Sequence, residues 1–131
     1  VGEVLAGRRL GPGWQDRVLQ VAGTRGEIVA RAVRDHLADC LTTLPALLEE
    51  GAEGALHFYF ANLTGMRAAL FPQLRAAYDR WSEGAPPAVL KAVIAPGREH
   101  WLRVARRLLA EPPDSWPVED DRLAELQPDL A

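Results

Sequence analysis

Between residues 98 and 110, apolar side chains fall at Trp101, Val104, Ala105, Leu108 and Leu109. That is the i, i+3, i+4, i+7, i+8 set of one helix face, and Arg98, Arg103, Arg106 and Arg107 occupy the remainder. The same period recurs upstream. Val29, Val33, Leu37, Cys40, Leu41 and Leu44 form one stripe, and Leu70, Leu74, Ala77, Tyr78 and Trp81 form another. No segment alternates apolar and polar with the period of two that a half-buried strand needs. The chain is therefore expected to be all-α, with five to seven helices in a single bundle or orthogonal array.

Punctuation residues set the expected boundaries. Gly11-Pro12-Gly13 marks a turn, which leaves residues 1–13 as a weakly ordered lead-in and allows a short helix from Trp14 to about Val21. Thr24 and Glu27 have the spacing of a capping box ahead of the first long stripe. Thr43-Leu44-Pro45 suits a new helix start. That helix should run to about Asn62, with a kink or break at Gly51 and Gly54. Its second half, Ala55 to Ala61, is apolar nearly all round and is read as the buried central helix. Pro72 should kink or restart the 70–81 stripe. A short helix is expected over 88–94, a break at Pro96-Gly97, the 98–110 helix, and a final short helix from about 114 to 126. Residues 127–131 should fray. The expected core comprises Leu37, Leu56, Phe58, Tyr59, Leu74, Trp101, Val104 and Leu108.

The chain of 131 residues, 48% of them hydrophobic, has the size and composition of one domain with its own core. The single Cys40 cannot form an internal disulfide, and no secretory leader or membrane-length apolar run is present. These features favour a cytoplasmic setting without a membrane partner. The 14 arginines against one lysine, Lys91, fit a GC-rich bacterial source. Residues 111–131 hold seven acids and one base, a net −6, against a mildly basic body. That balance argues against nucleic-acid binding through this domain alone.

Few residues suggest chemistry. His36 and Cys40 stand at i, i+4, but no second Cys/His pair exists to complete a metal site, so none is expected. No haem or other cofactor is expected either, because no histidine lies at a proximal spacing from His57. The chain has no glycine-rich phosphate loop, nucleophile elbow, HExxH or CxxC, so an enzyme is the least expected class and no catalytic residue is assigned.

Two candidate surfaces remain. His57, Phe58 and Tyr59 with Trp101 could line an apolar pocket between helices, with His57 orienting a small ligand. Arg98, His100, Arg103 and Arg107 could form a patch for an anion or an acidic partner, unless the acidic tail neutralises it in cis. In length and helix rhythm the chain resembles the C-terminal effector domains of TetR-type bacterial regulators, although it contains no helix-turn-helix. The resemblance implies a non-enzymatic ligand-binding or regulatory domain. The alternative is a protein-interaction or assembly module, which leaves a homodimer open.

Overall fold

The computed structural model describes residues 2–130, with side chains from Leu5 onward. Val1 and Ala131, the outermost residues of the two expected loose ends, lie outside the described residues. The structure is all-helical, and no strand occurs among the described residues. The helices are α1 (Gly2–Leu10), α2 (Gly13–Gln20), α3 (Arg25–Ala38), α4 (Leu44–Glu50), α5 (Glu53–Ala61), α6 (Gly65–Leu70), α7 (Pro72–Ser82) and α8 (Ala88–Ala110). A π-helical segment, Asp39–Thr43, joins α3 to α4 without a break, so the described chain packs as seven helical rods.

The π segment has a local cause. Pro45 cannot donate to the carbonyl four residues back, and its ring would clash there. Widening the spiral over Asp39–Thr43 lets the rod pass the proline instead of stopping. The rod ends at Gly51, whose φ of 64° is the left-handed conformation that only glycine adopts cheaply. The expected break at Gly51–Gly54 is therefore there.

Two expected stops are not. The chain runs through Pro96-Gly97 as one 23-residue helix, α8. Its N-terminal half buries Leu90 and Ile94, and its C-terminal half buries Trp101, Val104, Ala105 and Leu108. That continuous packing outweighs the donor lost at Pro96. At the other end, residues 2–10 form α1, which buries Ala6 and Leu10 where a weakly ordered lead-in is expected.

The core is centred on α8, which packs against both α3 and α7, around Val29, Val33 and Leu37 of α3, Leu74 of α7 and Trp101 and Leu108 of α8. The final helix expected over 114–126 does not form. Residues 111–130 make an irregular strap with two 3-10 turns, Pro113–Ser115 and Leu123–Leu126. Trp116, Leu123 and Leu126 of the strap are buried. The Trp116 ring lies 3.4 Å from where a side chain on Gly26 would begin. The strap is tied to four helices. Arg25 of α3 donates to the Val118 carbonyl and to Asp120, Gln73 of α7 donates to the Pro128 carbonyl at 2.5 Å, His100 Nε2 of α8 donates to the Leu126 carbonyl at 2.7 Å, and Gln127 of the strap donates to the Ala69 carbonyl of α6 at 2.9 Å. Residues 127–130 are held in place and do not fray.

Candidate functional site

The aromatic set does not gather around one cavity. Helix α5 turns Leu56 and Phe60 inward, a spacing of one turn, and Leu63 continues that stripe. Phe58 lies two residues from Phe60, on the opposite face, and is 71% exposed. It is not core. Helix α5 lies on the surface of the bundle and can bury only one side. His57 is also exposed, and its Nδ1 meets the Tyr78 hydroxyl at 2.8 Å. Tyr59 is half-buried and points its hydroxyl elsewhere, at Asp39. Trp101 is wholly buried against His36, Phe71 and His100.

The basic patch on α8 is largely taken up within the chain. Arg107 pairs with Glu111 at 3.1 Å and with Glu125 at 3.6 Å, both from the acidic strap. His100 is spent on the Leu126 carbonyl. Arg98 makes a loose pair with its neighbour Glu99 at 3.6 Å, and Arg103 is exposed.

A buried polar network escapes the sequence reading. Arg67 of α6 and the Tyr59 hydroxyl both donate to Asp39 Oδ2, at 2.9 and 2.7 Å. The Arg67 carbonyl accepts from His36 Nε2 at 2.8 Å. The His36 ring is fully buried, stacked on Trp101 at 5.0 Å and edge-on to Phe71 at 5.2 Å. Burial pushes its pKa down to about 4, so the ring is neutral and Nδ1 carries no proton. Burial also raises the Asp39 carboxyl, against the opposing pull of Tyr59 and Arg67. These bonds fasten the α3–α4 rod to α5 and α6, while His36 Nδ1 and Arg67 Nε are buried without a hydrogen-bond partner. The i, i+4 and i, i+3 spacings that reveal a helix face cannot show pairs separated by 20 and 28 residues.

Open space lies elsewhere. A cleft of about 720 Å³ separates α1, α2 and α3, with Trp14 and Val18 in its walls and Arg8, Arg31 and Arg34 around it. A groove of about 450 Å³ lies between α7 and α8 beside Leu130. A smaller cleft of about 220 Å³ lies between α4 and α8, over Cys40. None of these is lined by His57, Phe58, Tyr59 or Trp101. Among the described residues, no three His, Cys, Asp or Glu side chains gather as a metal site would require. No helix among them is long and apolar enough to cross a membrane.

A family model matches residues 1–129, and its description reads family of unknown function (DUF6866), C-terminal domain. The chain belongs to that family. No curated protein and no solved structure matches it. In this DUF6866 member, the three clefts are concave surfaces that a partner could enter.

Proposed function

We propose that this domain is a non-enzymatic binding module, and that its working face is the cleft between α1, α2 and α3. One observation carries the reading. Four large apolar side chains stand exposed among the described residues: Leu5, Leu19, Ile28 and Phe58. Three of them lie one helical turn from a residue that lines this cleft. Leu5 lies three residues before Arg8, Leu19 four after Gln15, and Ile28 three before Arg31, and each of those partners lines the cleft. Residues three or four apart share a helix face. Exposed apolar side chains beside arginines and a tryptophan are the composition of a protein-docking surface.

The occupant we assign is the neighbouring domain of the same protein. The family description is of a C-terminal domain, so members carry chain on its N-terminal side. Helix α1, the first element, is itself a wall of the cleft. A domain tethered there meets the face at a high effective concentration, so modest apolar contact suffices to hold it.

Amide hydrogen exchange on the intact protein tests this. A Leu19→Asp/Ile28→Asp variant alters two exposed side chains and should leave the domain folded. It should raise exchange along α2 and the first turns of α3, as docking is lost. Unchanged exchange on α2 in a folded variant would overturn the proposal. So would a face already unprotected in the wild-type protein.

A further inference from the structure

We propose that the small cleft between α4 and α8 is a binding site for a small organic anion, a carboxylate on a short apolar chain. The observations are independent of the docking face. The cleft has an apolar body: Pro45 and Leu48 on α4 face Ile94 and Ala95 on α8. Cys40 supplies the floor at 1% exposure. The π segment positions that floor, because it carries Cys40 at the point where the rod widens beneath α8.

Two cations flank this apolar body. Lys91 and Arg98 lie one turn to either side of Ile94 and Ala95 on the same face of α8, about 10 Å apart along the axis at 1.5 Å per residue. Side chains on a helix lean toward its N-terminus, which swings Arg98 over Ala95 and Ile94 and leaves Lys91 at the N-terminal edge of the slot. Its charge is felt at the Cys40 sulfur. Arg98 is only loosely occupied, since its pair with Glu99 is 3.6 Å long and exposed on both sides. Lys91, the one lysine of the chain, has no ion pair or side-chain hydrogen bond among the described residues. A greasy slot flanked by two underused cations is complementary to an anion with an apolar tail. A guanidinium fork suits a carboxylate in particular.

The dimensions limit the ligand. About 220 Å³ is below the ~300–1,000 Å³ typical of drug-sized sites, which favours a chain of a few carbons. The floor takes no covalent part. Burial pushes the Cys40 thiol up to about 12, so it stays protonated and serves as an apolar surface.

The test is a titration with hexanoate followed by backbone amide chemical shifts. Saturable shifts should cluster at Cys40, Leu48 and Ala95. Hexan-1-ol, which keeps the chain but not the charge, and acetate or inorganic phosphate, which keep the charge but not the chain, should each bind at least about ten-fold more weakly. A Lys91→Gln/Arg98→Gln variant should also bind hexanoate about ten-fold more weakly. Ala95→Phe, which fills the slot from an exposed position, should abolish binding with both cations in place. Thermal melts confirm that each variant is folded. Absence of saturable shifts with hexanoate would overturn the proposal, as would shifts centred elsewhere. Equal binding by hexanol, by acetate or phosphate, or by the doubly substituted protein would overturn it too.

Discussion

Gly97 sits in the interior of α8, where glycine is ordinarily a weakness, and replacing it with alanine should nevertheless destabilise the protein. Gly97→Ala in a helix interior gains up to ~1 kcal/mol from backbone preference. Against that, the new methyl group would stand 2.9 Å from Phe71 Cζ, 3.2 Å from Phe71 Cε2 and 3.3 Å from Cys40 Sγ. Non-bonded carbons settle at roughly 3.5–4.0 Å, so the ring must move by more than about half an ångström. It has nowhere to go. Phe71 is fully buried, and its ring lies 5.2 Å from His36 and 5.6 Å from Trp101, centre to centre. Overpacking of this kind costs ~1–3 kcal/mol, which leaves a net loss of about 1 kcal/mol after the helix gain. In a domain of this size that lowers the melting temperature by roughly 3–8 °C. Urea unfolding and calorimetry of Gly97→Ala measure the loss directly. A second measurement isolates the cause. In a Phe71→Leu background the ring edge is gone, and Gly97→Ala should become neutral or stabilising. A single variant as stable as wild type, or a penalty that persists undiminished without the ring, would refute the argument that the close approach of Phe71 dictates glycine here.

The remaining predictions concern His36 and the two aromatic positions whose environments diverge most. The His36 pKa falls from 6.5 unfolded to about 4 folded, so below pH 6.5 the unfolded chain binds the extra proton first. Stability from this group is whole above pH 6.5 and is lost as pH falls toward 4, by about 3 kcal/mol in all. Urea titrations across that range should show the slope, and His36→Gln should remove it; an unchanged slope would mean that other groups carry the acid sensitivity. Phe58→Ser should change unfolding free energy by no more than about 0.5 kcal/mol, whereas Trp101→Ala should cost ~3–5 kcal/mol. Comparable losses at the two sites would place Phe58 in a contact that the fold described here does not give it.

Much of the architecture is legible because burial follows the helix period. The stripes through Val29, Val33 and Leu37 and through Trp101, Val104 and Leu108 are the faces where α3 and α8 meet the core. Periodicity loses its power where a segment is apolar on every side. Residues 55–61 offer no polar face to orient them, and the sequence alone does not distinguish Phe58 from Phe60. Proline and glycine misled at Pro96-Gly97 for a different reason. Local preference there opposes a helix by a few kcal/mol, and packing along 23 residues of α8 outweighs it. Helix α1 was hidden because the buried side chains described in it, Ala6 and Leu10, are too few to form a stripe. The candidate clefts were the least visible of all. Cys40, Leu48, Lys91 and Arg98 come together only once the rod and α8 are packed, and no spacing within one helix encodes that proximity.

The C-terminal strap also sets a timetable for synthesis. Trp116 seals the start of α3, and Pro128 and Leu126 supply acceptors to α7 and α8. These residues leave the ribosome after the helices they seal. While the chain grows at ~5–20 residues per second, the early helices can associate with the base of α3 still bare. Closure of the bundle therefore waits for residues 111–130, and a message truncated within that stretch would yield helices with an unsealed seam rather than a slightly shorter domain.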